Sequence, residues 1–457
     1  MPTKIIAFFI LLQLSQFLSG QSDSLLSKRS ISGFTRAGFY SYLRNLNEGE
    51  VFNSAFSDLG LKFDSNPVHG IIFSSDVRIR YGTEFSEEVS RLDVKEAYAG
   101  YSGKRLSVTA GQMIVKWGRA DFTNPTSRFN PMNYLSRSPD KEDMDLGNVL
   151  FRIRWFPSPI FVLQSVISPY YRSSALFTNI IPVPDFVKII NPESHFLGSN
   201  MISYGLKADF HLKGIDMGIM FFDGFDPLPG LAMTGFSADF SGSIPVINAE
   251  MTFTPFRTRV TGFDFETSAG SLGIRGEAAL SIPVLSANYH EYVPLKEAKF
   301  VLGFDYSPGN WRFTWEYSGS LMLDYFRSTV PPVIGTNPDY SQLAALLSTP
   351  GFDLAEYFRQ QIGSFNRLYF NQLEKSYHNV SIKIERDISY GRIIPSITCL
   401  YNFTSTDLLI IPEIRIKAAD GLSLVGGAEI YSGNKTSIYY IIKDFLTCAY
   451  VGIRADF

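Results

Sequence analysis

Five histidines, two cysteines and one acidic cluster are the side chains of this 457-residue chain whose types could do chemistry. His69, His195, His211, His290 and His378 could each act as a general base, but none accompanies a G-x-S-x-G nucleophile turn. They read as structural positions, and no catalytic residue is expected. Asp140, Glu142, Asp143 and Asp145 have the carboxylate density that chelates calcium. They lack the glycine that a calcium loop needs at its sharp turn, so a solvated acidic segment is expected, with no metal or other cofactor. Cys399 and Cys448 fall on segments that do not neighbour each other, and a disulfide needs Cα atoms within about 7 Å. Both are expected to be free, buried thiols.

The remaining chemistry is ionic, and it is periodic. Asp76, Arg78 and Arg80 alternate with Val77, Ile79 and Tyr81; Arg152 and Arg154 alternate with Phe151, Ile153 and Trp155. Arg275 and Glu277, Arg312 and Glu316, Glu385, Glu413 with Arg415 and Lys417, and Arg454 repeat the pattern. A helix would scatter these charges around its axis, whereas a strand sorts them onto one face. Such a face could select solutes by its field. It could equally be a cross-strand salt-bridge lining that stabilises a wall. Both signs occur on almost every segment, which favours the lining; the modest basic excess hints at anionic solutes.

Segments of this kind recur about twenty times, as is usual for the larger transmembrane barrels, with 16 and 18 as alternative counts. They lie near 32–44, 54–64, 69–81, 91–101, 104–116, 147–157, 160–170, 199–211, 214–223, 231–240, 244–256, 258–267, 270–281, 297–307, 310–322, 375–387, 390–402, 406–418, 421–432 and 444–457. Short connections such as Ser158-Pro159, Lys213-Gly214 and Asp420-Gly421 mostly alternate with long ones at 117–146, 171–198, 282–296 and 323–374. That rhythm is the signature of an all-β, antiparallel transmembrane barrel with long external loops. At the C-terminus, Phe457, Ala455, Ile453, Val451, Ala449 and Phe445 share one parity, and the chain ends on an aromatic residue.

Composition agrees with that architecture. The chain is 45% hydrophobic, 15% aromatic and only 19% charged, with a net charge of −3. This balance excludes a broad electrostatic nucleic-acid binder and a polybasic membrane-surface protein. Mean hydropathy is near zero, as expected when each strand turns one face to lipid and one to the interior. Residues 1–20 read as a secretory signal, 21–31 as a short periplasmic segment and 32–457 as one barrel domain. So short an N-terminal segment argues against an assembly-machine barrel and against a plugged receptor.

Three loops carry individuality. Loop 323–374 holds helix-like patterns, one beginning at Asp353-Leu354, and suits a lid or cap. Loop 171–198 is apolar at Phe177, Ile180, Ile181, Val183, Phe186, Val187, Ile189 and Ile190. It would form a greasy vestibule or pack against a neighbouring loop. Loop 117–146 has Asn124-Pro125 and Asn130-Pro131 turns six residues apart, which suggests a fixed, folded-in loop.

Gly111-Gln112-Met113-Ile114-Val115-Lys116-Trp117-Gly118-Arg119-Ala120-Asp121, then Asn124-Pro125 and Asn130-Pro131, resembles a motif of an uncharacterised bacterial outer-membrane porin-like family. That motif is G-R-Q-x-x-x-W-G-x-x-D followed by two N-P pairs. The likeness covers about 60 residues, with Val94-Lys95-Glu96-Ala97-Tyr98 leading into it. Gln112 and Met113 depart from the family's Arg-Gln, and Ser127 stands where an acid is usual. The resemblance implies a barrel and suggests transport. The expected function is an outer-membrane channel of a Gram-negative bacterium, passing small hydrophobic or anionic solutes passively or past a loop gate. An outer-membrane hydrolase and a surface-assembly or secretion partner are the alternatives. Expected partners are outer-membrane lipid, the solute, and barrel-assembly machinery reading the Phe457 strand; nucleic acid is not among them.

Overall fold

A computed structural model describes residues 29–43, 52–65, 69–176, 186–190, 195–197, 201–239, 241, 246–328, 330–332 and 347–457. The expected signal segment, and Phe177, Ile180, Ile181 and Val183, lie outside them. The alternating segments are strands, and eighteen of them form one sheet. In chain order the wall begins with β1 (Arg29–Tyr42), β2 (Ser54–Ser65), β3 (Ile71–Glu84), β4 (Glu87–Ser102), β5 (Leu106–Met113), β6 (Asn148–Ser158) and β7 (Phe161–Ser168). Short β8 (Tyr170–Arg172), β9 (Val187–Ile190) and β10 (His195–Leu197) lie off the wall, which resumes with β11 (Ser203–Leu212) and β12 (Ile215–Phe225). Off-wall β13 (Gly230–Asp239) and β14 (Val246–Thr254) precede β15 (Arg257–Ala269), β16 (Leu272–Pro283), β17 (Glu297–Tyr306) and β18 (Trp311–Met322). The circuit ends with β19 (Ser376–Arg386), β20 (Ile393–Asn402), β21 (Leu408–Ala419), β22 (Leu422–Ser432) and β23 (Cys448–Asp456). Because β1 pairs antiparallel with both β2 and β23, the sheet closes.

Closure pairs the backbone polar groups that hydrocarbon would leave without partners. Side chains then divide by parity. On β18, Trp315 is 54% exposed on the outer surface while the adjacent Glu316 is 1% exposed inside. Val149, Phe151 and Trp155 face outward on β6, as do Ile219 and Phe221 on β12 and Val451 and Ile453 on β23.

About twenty wall strands were expected, with 16 and 18 as alternatives, and eighteen are found. The difference is the segments at 231–240 and 244–256, which do form a hairpin, β13–β14, but with β9 rather than the wall. Their apolar parity (Leu231, Ala249, Met251, Phe253) packs on Ile362 and Phe365 of helix α1 (Leu354–Tyr369). Alternation reports a half-buried strand without saying whether lipid or protein covers it. Helix α1 starts at the expected Asp353, whose carboxylate accepts from Ala355 N at 2.9 Å and Glu356 N at 3.2 Å. The final strand is shorter than expected: Phe445 belongs to helix α2 (Ile438–Leu446), capped by Ser437. Cys399 and Cys448 are both free, on β20 and β23, with Cys399 half-buried rather than buried.

One rim carries tight turns, with left-handed glycines at Gly214, Gly270, Gly309, Gly391 and Gly421. The opposite rim carries the long connections, apart from the two-residue turn Phe85-Ser86 and the 403–407 link. At the seam, Gly33 and Phe457 exchange backbone hydrogen bonds of 2.8 and 2.9 Å. A Cβ on Gly33 would lie 2.6 Å from Gly60 O and 2.7 Å from the Phe457 ring. Gly33→Leu should therefore hinder closure, reducing the fraction of detergent-folded protein that migrates faster unheated than boiled. Wild-type yields of that species in the variant would contradict this account of the seam.

Candidate pore constriction

After Met113 the chain leaves the wall and turns into the barrel. The turn has an apolar cause. Met113, Val115, Trp117 and Phe129 bury against Leu150, Val166, Met220, Phe222 and Val260 on the inner faces of β6, β7, β12 and β15. Trp117 meets Phe129 edge-on at 5.1 Å, and Phe129 meets Phe222 likewise at 5.1 Å. Burying two rings of this size is worth roughly 1.5–3 kcal/mol each, so this side of the loop is fixed. Asn130 ties the two arms together: its Oδ1 accepts from Val115 N and its Nδ2 donates to Val115 O, both at 2.9 Å. The Pro131 carbonyl takes Leu146 N at 2.9 Å, and the Pro125 carbonyl takes Arg128 Nε at 3.1 Å. Asn124 Nδ2 donates to Ala120 O at 3.1 Å. Of the motif residues, Gly111, Gln112 and Met113 lie in the wall, on β5.

Beyond Trp117 five consecutive backbone N–H groups point at two wall carboxylates. Arg119 N and Ala120 N donate to Glu277, the latter at 2.7 Å. Asp121, Phe122 and Thr123 N donate to Glu316 at 3.1, 3.2 and 2.9 Å. Gly118 makes this geometry possible. Its φ is +92°, and a Cβ there would sit 1.9 Å from Asn124 Oδ1 and 2.5 Å from Glu277. Arg275 binds Asp121 at 3.0 Å and also Asp305. Arg119 reaches Asp264 at 2.7 Å, beside the Lys207–Asp264 pair at 2.7 Å.

The far end of the loop docks on the opposite wall. Asp143 contacts Arg36 at 2.7 Å and also Arg78, while Asp140 contacts Arg415 at 2.8 Å and Arg454 at 3.5 Å. Lys116 pairs with Asp145 at 2.8 Å. Asp140, Asp143 and Asp145 are therefore ion-pair anchors, which corrects their reading as a solvated segment, while Glu142 is exposed as expected. Behind it Arg80 binds Asp58 at 2.6 Å and Glu84, Asp76 pairs with Arg78 at 3.3 Å, and Glu413 takes Arg415 at 2.6 Å and the Tyr450 hydroxyl at 2.7 Å. Burial alone would raise the Asp143 carboxyl. The charges of Arg36 and Arg78, with the Ser138 hydroxyl, outweigh it and hold the group well below the usual range. A depressed carboxyl stabilises docking above its unfolded value, near 3.9, and loses that only as pH falls through the lower folded value.

Thus Asp76, Arg78, Arg80, Glu413, Arg415 and Arg454 converge on one end of the loop, and Arg275, Glu277 and Glu316 on the other. The remaining candidates stand apart. Arg312 and Glu385 pair at 3.6 Å towards the tight-turn rim, and Lys417 is exposed near that rim. Arg152 and Arg154 share the inner face of β6 with no carboxylate partner among the described residues; Arg154 lies 5.0 Å from the Phe156 ring. The sequence reading missed Arg36, Asp58, Glu84 and Asp264. Each follows the same parity as its neighbours, and that signal was present.

The mouth is partly roofed. Phe186, Val187 and Ile189 pack into the cluster of β13, β14 and α1, so the neighbouring-loop packing holds for them rather than a greasy vestibule. Asn366 locks α1 down through Leu231 N at 2.8 Å, Leu231 O at 2.7 Å and Glu291 O at 2.8 Å. A cavity of about 250 Å³ remains between Thr123 and strands β17–β20, with α2 at its edge.

The barrel is similar in fold to several solved bacterial proteins. OpdK of Pseudomonas aeruginosa, solved with vanillate, is 8% identical, with 95% of this chain and 99% of that one covered at a TM-score of 0.54. OccAB2 of Acinetobacter baumannii is 10% identical over 95% and 99%, with a TM-score of 0.52. OccAB4 of the same organism is 6% identical over 94% and 97%, also at 0.52. No family model matches the chain, and no curated protein does either. This likeness shows the fold alone: a closed 18-stranded antiparallel barrel.

Replacing Glu277 and Glu316 together by Ala leaves five partly buried donors without these acceptors and weakens loop docking by roughly 3 kcal/mol. The variant should keep heat-modifiable migration but give larger, noisier single-channel currents. Currents identical to wild type would mean the clamps do not set the bore. Because Asp143 stays charged, any excess current of Asp143→Asn over wild type should be the same at pH 8 and pH 5, which a pH series in bilayers reads directly.

Proposed function

We propose that the protein is an outer-membrane channel for passive passage of small hydrophilic solutes, its bore set by the inward loop 114–147. The observation that carries this reading is the clamp: a closed barrel whose lumen is narrowed by a loop anchored at both ends, with a polar gap left beside it. Residues in the interior, not the surface, then meet the solute. Apolar loop residues that pack into the roof give no support to a hydrophobic route, so the hydrophilic one is preferred. Outer-membrane lipid would cover the aromatic and aliphatic belt, and the β23 strand ending at Phe457 would be read by assembly machinery.

The interior charges would act mostly as structure, since nearly all are paired. Arg152 and Arg154 are exceptions among the described residues and would give the lumen a mild preference for anions. In planar bilayers, purified protein should produce discrete conductance steps; their absence would sink the channel reading. Arg152→Gln with Arg154→Gln should move the reversal potential in a salt gradient towards cation preference. An unmoved reversal potential would assign the selectivity elsewhere.

A further inference from the structure

Most of the lumen is lined by committed charges, but one sector is lined by uncharged polar groups. On β18, β19 and β20, Ser318 lies opposite Asn379, and Asn379 opposite Asn402, giving one row of uncharged groups across three adjacent strands. Ser320 and Ser381 flank that row on the same inner face. All five line the cavity of about 250 Å³ beside Thr123. Ser318, Ser320 and Ser381 are buried from bulk solvent, yet no hydrogen bond from their hydroxyls or from the Asn379 amide is found among the described residues. Asn402 spends only its Oδ1, on Thr404 N at 2.9 Å and Ser405 N at 3.0 Å.

A second, independent feature points the same way. Glu297, in the same lining, is 6% exposed. Its Oε2 holds Lys299 Nζ at 3.0 Å, while its Oε1 is buried with no hydrogen bond. A buried carboxylate oxygen without a donor asks for one. The edge formed by Ile438 and Tyr439 of α2, with Leu400, is apolar. Tyr439 is propped in place by Tyr431, ring centroids 5.3 Å apart.

We propose that this sector is a binding station for a neutral polyhydroxylated solute, a sugar ring or polyol of about one hexose. Such a molecule brings many donors and acceptors to the uncommitted Ser and Asn groups and a hydroxyl to Glu297, while its C–H face meets Leu400, Ile438 and Tyr439. A cationic ligand would meet Lys299 in the lining and Lys383 two positions beyond Ser381. An anion would meet Glu297 and Asp407. The station deepens the channel reading and rests on it for its role in transport, though binding itself can be measured without transport.

Two measurements on detergent-folded full-length protein separate the two. Calorimetric titration with D-glucose should give saturable binding that is lost in Asn379→Leu/Asn402→Leu and weakened at least about tenfold in Ser318→Val, a factor that corresponds to 1.4 kcal/mol. Lys417→Gln, at the exposed rim, should retain it. Heat-modifiable migration verifies that each variant is folded. D-glucose added to bilayers should also reduce wild-type current saturably, whereas ethylammonium and acetate should not compete. Absence of glucose binding to the folded wild type overturns the proposal, as does binding of ethylammonium or acetate in place of glucose, or binding unaffected by the double variant. Glucose binding with no conductance would instead sink the channel reading and leave the station standing.

Discussion

The interior depends on five successive backbone N–H groups, Arg119 to Thr123, reaching two carboxylates on the wall. A loop folded into a barrel lies against a wall whose backbone is already paired with itself, so its own polar groups need side-chain or water partners. Here the wall supplies them. Glu277 and Glu316 are costly to bury as free charges, and the N–H groups are costly to bury without acceptors, so each meets the other's need. Gly118 sets the backbone so that all five donors converge.

The loop is thereby stretched between unlike attachments. Near its start an aromatic cluster excludes water; at its middle amides meet carboxylates; at its far end carboxylates meet arginines on β1, β3, β21 and β23. The first is insensitive to salt, and the last is partly shielded because Arg36 and Asp143 are buried. Between these anchors lies the sector of β17 to β20, whose inner-face Ser and Asn groups are uncommitted among the described residues, as are Arg152 and Arg154 on β6. The selectivity of such a lumen is decided where the loop is absent.

How much of this was legible in the sequence varies with the physics involved. Strands such as β3, β6 and β18 could be read directly, because alternation sorts charge from hydrocarbon. The hairpin β13–β14 alternates just as well, and only the position of α1 reveals that protein covers its apolar face. Helix α2 was invisible because Ile438–Leu446 is short and adjoins a real strand. Two Asn-Pro turns suggested a folded-in loop, and Glu277 and Glu316 fell on the inner parity. Nothing in one sequence could pair a glutamate with amide groups more than 150 residues away. The acidic cluster was misjudged for the same reason: its arginines arrive from the first and last strands.

Those long separations constrain how the molecule is built. The Thr123–Glu316 hydrogen bond joins residues 193 apart, and the Arg415–Asp140 contact spans 275. Neither can form until strands from distant parts of the chain stand in place. Local hairpins can pair early, but the loop has nothing to hold until β16, β18 and β21 arrive, so its docking comes late and is slow to reach. Once the seam between β1 and β23 shuts, a loop left outside would have to cross the rim to enter. The inward loop thus works as a latch, whose docked state records that strands from distant parts of the chain have reached their places.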